Sequence, residues 1–356
     1  MLLVSIPNGR NRSFYDHAKY AGAAGLLIAV IAAVVAVASH RLTHDVFAYN
    51  RLLGRGINLG NALDTPYEGA PGGVILKSAY FQVIKDAGFD SVRITVRWSA
   101  HALADPPYTI DSAFFQRVDW AIDQALSRNL KVVIDVHHFI EMDQDPSSNR
   151  ARLLSLWSQI ANRYRDRPQT LYFELFNEPQ DKFTDQDWND VLPQLLHVVR
   201  ESNPDRAIIV GPGYWNSFDH LAQLQIPDDD RRIIVTFHYY IPFHFTHQAQ
   251  DWLPASREWK GTRWGSAQDR SELRNDFETV SAWAKQHRRP IYLGEFGASE
   301  NAEPADRLAW TRAVVDDAED MGFSWSYWQF ASSFNAYDKT KDSWNELLLQ
   351  ALLKQQ

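Results

Sequence analysis

Eight short apolar runs alternate with amphipathic stretches from residue 55 onward, and this alternation most constrains how the chain folds. The runs span residues 55–61, 91–97, 131–136, 170–176, 207–211, 233–237, 291–294 and 324–328. Between them lie stretches of helical character at 76–87, 113–128, 149–165, 185–201, 270–286 and 304–321, with a short segment after Asn216 and a terminal one at 345–353. Phe114, Val118, Ile122 and Leu126 recur at helical spacing, whereas Val132, Val133 and Ile134 read as a strand buried on both faces. Eight such units over about 300 residues predict one (β/α)8 barrel, a TIM barrel, as a single α/β catalytic domain over residues 50–355. The competing arrangement is an open doubly wound sheet, but no Gly-rich phosphate loop follows any strand. The longest irregular segment, 241–268, follows the sixth strand and carries Trp252, Trp259 and Trp264. A loop of that length in a compact domain usually has a function.

Residues 1–40 read differently. The run 20–38 is 19 residues without a charge, preceded by Arg10, Arg12 and Lys19 against one acid, Asp16. At ~1.5 Å per helical residue it is long enough to span most of a ~30 Å hydrocarbon layer. The basic flank is expected to stay cytoplasmic, which makes 1–40 a short stub plus a signal anchor. Ala36-Val37-Ala38 also offers a small-x-small cleavage pattern, so a cleaved signal peptide is the alternative. Either way the barrel is expected to be exported, anchored outside the cytoplasmic membrane or released as a secreted or periplasmic protein.

Composition removes several chemistries. The chain has no cysteine, which excludes disulfides, thiolate nucleophiles and Cys-ligated zinc. Its formal charge is −8 and it has no Lys/Arg run, so nucleic acid is not an expected partner. Aromatic residues are abundant, with 13 Trp, 14 Tyr and 19 Phe, and suit a cleft that stacks flat amphipathic ligands.

Catalytic groups of a barrel sit at the C-terminal ends of its strands. Those ends carry Arg93, His137-His138, Asn177-Glu178-Pro179, His238-Tyr239-Tyr240, Gly294-Glu295-Phe296-Gly297 and Trp328. Glu178 and Glu295, far apart along the chain, should therefore meet at one mouth. Two facing carboxyls suit glycoside hydrolysis, in which one protonates the leaving oxygen and the other attacks the anomeric carbon. Glu174 shares the strand parity of Glu178 and is expected in a buried network with Arg93 or Arg97, and Asp135 is expected to be structural. The histidines come from different strands without a His-x-x-x-His helix, so no catalytic metal and no cofactor are expected. A phosphate-binding barrel fits poorly, because Glu295 would sit where a phosphate needs donors.

Six motifs occur in order: Arg55-Gly-Ile-Asn-Leu-Gly-Asn61, Val92-Arg93-Ile94, Asp135-Val-His137-His138, Phe173-Glu-Leu-Phe-Asn-Glu-Pro179, Phe237-His-Tyr-Tyr240 and Gly294-Glu-Phe-Gly297. In these the chain resembles glycoside hydrolase family 5, the largest cellulase family of the retaining (β/α)8 clan, from about residue 53 to 353. Pro242-Phe-His-Phe-Thr-His-Gln248 and Trp264-Gly265-Ser266 are similar to bacterial endoglucanases that accept both glucan and mannan. The resemblance implies a retaining endo-β-1,4-glucanase acting on cellulose-like or mixed-linkage β-glucan, as a monomer. A mannanase or dual activity on the same site is the alternative, and a non-catalytic carbohydrate-binding barrel a distant one.

The same resemblance implies residue roles. Glu178 would be the general acid/base and Glu295 the nucleophile. Tyr240 and Arg93 would keep Glu295 ionised, Arg93 by lowering its pKa, while the charge of Glu295 helps raise the pKa of Glu178. His238 would bond to Glu178, His137 and Asn177 would hold sugar hydroxyls, and Trp328 would stack beneath the ring. Asn61, Asp64, His138, His247 and Trp252 complete the residues expected to contact sugar. Asp64 stands where relatives often have Glu, so it reaches about one methylene less toward distal sugars, and Thr95 replaces a common Pro.

Overall fold

The computed structural model describes residues 45–353. All eight apolar runs pair in parallel with their neighbours, and the last closes on the first to complete the barrel. The strands are β1 Arg55–Asn58, β2 Ser91–Ile94, β3 Lys131–Asp135, β4 Leu171–Glu174, β5 Ile208–Val210, β6 Ile233–Tyr239, β7 Ile291–Phe296 and β8 Ser324–Tyr327. Six are shorter than their apolar runs because the chain splays into loops at the strand ends. In contrast, β6 and β7 each run two residues further, which brings His238 and Glu295 into the ladder.

Helices Ser78–Ala87, Ser112–Leu126, Pro146–Tyr164, Asp185–Ser202, Ala267–His287 and Pro304–Asp320 pack outside the sheet, and Glu346–Leu352 follows β8. Local chemistry sets their starts. Asp111 accepts a hydrogen bond from the Phe114 N–H, and Thr184 with Asp187 and Ser266 with Asp269 form reciprocal capping boxes. The Ser266 cap starts its helix three residues before the periodicity does, shortening the expected loop. What remains of that loop is not irregular throughout, since it holds a helical turn at Phe243–Thr246 and a 3₁₀ helix at Pro254–Trp259.

The first helix of the described residues has no counterpart in the periodicity. Val46–Leu53 begins before the expected domain start and packs Val46, Tyr49 and Leu53 against Val133, Tyr172, Ala207, Ile209, Ile234 and Tyr292. Polar contacts fix it there: the Tyr172 hydroxyl donates to the Tyr49 carbonyl (2.8 Å) and the Asn50 amide to the Ile291 carbonyl (2.9 Å). It thus plugs the N-terminal end of the barrel, and the compact unit begins at Val46. The apolar run 20–38 lies outside the described residues. Among the described residues no helix is long and apolar enough to cross a membrane.

Candidate active site

Arg93 organises the upper half of the barrel interior. Its guanidinium is fully buried and donates through Nε and Nη2 to both oxygens of Glu174, each at 2.7 Å. Nη2 also reaches Asp135 (2.9 Å) and the Asn177 amide oxygen (2.7 Å). Nη1 meets Glu295 Oε1 (2.7 Å) and Asn58 Oδ1 (3.0 Å). Isolated burial of a guanidinium is prohibitive, and three carboxylates compensate here. They hold its pKa well above the ordinary value although desolvation acts against them.

Glu295 faces Arg93 only because β7 is irregular. Strict alternation would place it on the outer face with Leu293, since Tyr292 points inward. The register shifts there, so Phe237 pairs with Leu293 while His238 pairs with Glu295. Gly294 is the extra residue, and the resulting bulge turns the carboxylate into the barrel. A Cβ at Gly294 would lie 2.6 Å from the Thr236 hydroxyl and 3.0 Å from His238 Nε2, so this close approach requires glycine.

Glu178 sits just beyond β4 with left-handed backbone (φ 53°) and about a fifth of its side chain exposed. His238 Nδ1 donates to its Oε1 at 2.7 Å and lies 3.7 Å from Glu295 Oε2. The Tyr240 hydroxyl donates to that same Glu295 oxygen at 2.9 Å. Carboxylate oxygens of Glu178 and Glu295 and a nitrogen of His238 all lie within 4.8 Å of one another. The two acids therefore face each other across one gap.

Burial raises both carboxyls to about 7. At Glu295 the charges of His238 and Arg93 and the Tyr240 hydrogen bond oppose the rise, while Glu178 adds to it. This corrects the expectation that Arg93 and Tyr240 bring Glu295 down. They act in that direction, but desolvation outweighs them. At Glu178 the buried charges of Glu174 and Asp135 join desolvation. Two acids this close do not ionise independently, and the first proton leaves the one touching Arg93 and Tyr240, which is Glu295. Burial likewise lowers the pKa of His137 and of His238.

The gap opens into a cleft of about 1400 Å³ whose walls include Asn61, His137, His138, His247, Trp252 and Trp328. His137 is held by Asp135 (2.7 Å) and lies parallel to Trp328, with centroids 5.8 Å apart. Gly60 lets that indole settle, since a Cβ there would come within 2.5 Å of it. Trp252 projects into solvent, 59% exposed. His247 packs among Tyr240, Phe243 and Phe334 and presents little surface. Asn177 has its amide oxygen on Arg93, so only its NH₂ remains for another partner.

Asp64 departs from expectation. It is 1% exposed and does not line the cleft, because its two oxygens accept the backbone N–H groups of Asn61 (3.0 Å) and Ala62 (2.7 Å). The shorter side chain closes a local turn instead of reaching outward. Conversely, the loop after β5 supplies exposed aromatics that the periodicity did not mark. Tyr214, Trp215 and Asn216 are consecutive left-handed residues, and Trp215 Nε1 donates to Gln180 (2.6 Å), two residues past Glu178. Asn216 Nδ2 lies 3.4 Å from His238 Nε2. The Gly-Tyr-Trp-Asn string was the only available signal, and its strained turn is visible only in three dimensions.

A parallel eight-stranded barrel with two facing carboxyls in an aromatic-walled cleft at its strand C-termini defines a glycoside hydrolase class of protein. The family model for cellulase (glycosyl hydrolase family 5) matches residues 63–333, and the chain belongs to that family. Endoglucanase H of Acetivibrio thermocellus is 39% identical over 287 residues, which are 80% of this chain and 30% of that protein. Structures of Thermotoga maritima Cel5A, 46% identical, cover 87% of this chain and 100% of theirs. The TM-score is 0.86 for the cellobiose complex and 0.85 for the mannotriose complex. The chain spans about a third of the length of the first curated relatives it matches, 30% of Endoglucanase H and 35% of Cellulase/esterase CelE from the same organism.

Proposed function

We propose that the chain is an endo-β-1,4-glucanase that cleaves cellulose-like or mixed-linkage β-glucans with retention of anomeric configuration. The observation that carries this reading is the separation of the two acids. The nearest carboxylate oxygens lie within 4.8 Å of one another, which fits the ~5–5.5 Å spacing of retaining pairs better than the ~6.5–9.5 Å of inverting ones. Glu295, bonded to Arg93 and Tyr240, is the group better held as an anion and acts as nucleophile. Glu178, raised to about 7 and touching His238 but no cation, protonates the leaving oxygen and then activates water. After the first step Glu295 is esterified and its charge is gone. The pKa of Glu178 then falls, which suits its change from acid to base. Trp328 and His137 form the floor for the sugar under attack. The leaving sugar lies on the Glu178 side, where Tyr214 and Trp215 stand. Hydrolysis of carboxymethyl-cellulose by Glu178→Ala and Glu295→Ala variants tests the assignment, together with NMR of the first-released anomer. An α-anomer, or near wild-type rates in either variant, rejects it.

β-Mannan is the second substrate class, because Cel5A of T. maritima has been solved with mannotriose as well as cellobiose. The axial 2-hydroxyl of mannose must then fit beside His137, His138 and Asn177. The ratio of kcat/KM on matched gluco- and manno-oligosaccharides decides the preference. We also infer export from the basic-then-apolar pattern of residues 10–38. A mature N-terminus at Ser39 would select the cleaved signal over the anchor.

A further inference from the structure

Beside the paired acids, His137 and His138 on the cleft wall and the Asp64 carboxylate buried behind them make a second set of donor atoms. Asp64, His137 and His138 bring one carboxylate oxygen and two imidazole nitrogens within 4.8 Å of one another. We propose that these three residues bind a divalent transition-metal ion of the copper or nickel type, and that the bound ion excludes sugar from the adjoining floor of the cleft.

The support lies in how firmly the donors are held. Asp135 accepts the His137 Nδ1 proton at 2.7 Å, which directs Nε2 toward Asp64. A carboxylate behind a ligating imidazole is the usual backing of a metal-binding histidine. Asp64 cannot swing away, because the Asn61 and Ala62 N–H groups grip its two oxygens, each of which keeps a free lone pair. Asp64 and His137 form a buried back wall, 1% and 2% exposed, whereas His138 stands at the open side on a left-handed backbone (φ 51°). The site thus has fixed ligands and an entry path.

The spacing also selects among metals. His137 Nε2 and Asp64 Oδ2 are 4.0 Å apart. Opposite ligands of a square-planar ion with bonds of about 2.0 Å are about 4 Å apart, whereas two ligands of a tetrahedral zinc ion lie only about 3.4 Å apart. Nitrogen and oxygen donors in a square plane suit copper(II) or nickel(II), and copper binds more tightly. The neighbouring set Glu178, His238 and Glu295 is equally close but unsuited to a cation, since the Arg93 guanidinium already lies 2.7 Å from Glu295.

Inhibition and competition by cellotriose are the consequences that depend on the proposed glucanase reading. An ion held by His137 and His138 occupies donors that the sugar needs, so copper should raise KM and leave kcat unchanged. Binding itself is read without substrate, by titrating the chelator-stripped full chain with copper(II) in a calorimeter and recording the electron paramagnetic resonance spectrum. The expected result is one tight site per chain with hyperfine splitting from two imidazole nitrogens. Affinity should fall roughly tenfold or more in Asp64→Asn, and excess cellotriose should compete with the metal. His138→Ala, at an exposed position, serves the same titration if Asp64→Asn does not fold. Absence of saturable binding, a spectrum without nitrogen splitting, or affinity unchanged in the folded variants would overturn the proposal. Tight copper binding by a protein that cleaves no polysaccharide would instead overturn the glucanase reading and leave the metal site standing.

Discussion

The two ends of the barrel interior are made by the same strands with the same alternation, yet they are opposite in chemistry. At the N-terminal end Val133, Tyr172, Ile209, Ile234 and Tyr292 meet the helix Val46–Leu53 and exclude water. Two residues further along β3 and β4, at Asp135 and Glu174, the inward positions carry charge around Arg93. The closed end gains stability by burying apolar surface, and the open end gives some of it up to hold ionisable groups out of water. The difference teaches that strand parity sets which way a side chain points, while its height in the barrel sets whether it supports the fold or the chemistry.

That division is broken most severely at the acids. Glu295→Gln or Glu178→Gln should lower hydrolysis of soluble β-glucan by about 10³-fold or more while leaving the thermal midpoint intact or higher. The sign follows from linkage. A carboxyl raised from 4.5 to about 7 in the folded protein favours the protonated state, so its contribution is full below about 4.5 and is lost as pH rises through 7. The wild-type midpoint should therefore fall between pH 5 and pH 8, and less steeply in either Gln variant, as differential scanning calorimetry would read.

The opposite end should respond in the reverse sense. Leu53→Ala, which opens a cavity under the plug, is expected to cost about 2–5 kcal/mol in urea unfolding while KM of the folded enzyme stays unchanged. A change in KM there would mean that the two ends are coupled. A smaller effect is expected from Tyr240→Phe, which removes one donor from Glu295. The acidic limb of the kcat/KM profile should shift to higher pH, and the alkaline limb, set by Glu178, should stay in place. The mildest outcome is Trp215→Ala, for which KM should rise several-fold on long oligosaccharides and hardly at all on short ones. Equal losses on both would place Trp215 next to the bond being cleaved.

Much of this was legible beforehand. The eight strands follow from apolar runs that no soluble loop would carry, and the paired acids from motifs at the strand ends. Glu174 and Asp135 take the buried roles around Arg93 that their parity indicates. Other features depended on context that no local pattern carries. Val46–Leu53 is too short for its periodicity to stand out from the adjoining strand. Asp64 was expected in the cleft because relatives often carry Glu at that position, but the Asn61 and Ala62 N–H groups claim its carboxylate. The pKa of Glu295 ran against expectation because solvation lost on burial depends on every atom around the group, whereas the sequence names only its partners.

Residue order alone determined the barrel and the identity of the two acids, since periodicity and the turn chemistry at strand ends are short-range properties. Only the closed structure decided that Glu295 turns inward at the Gly294 bulge, that Asp64 folds back beneath the cleft, and that Tyr214 and Trp215 stand beside Glu178. The bulge and the Trp215 contact join segments distant along the chain, and even the local Asp64 turn is fixed only by the packing that buries it.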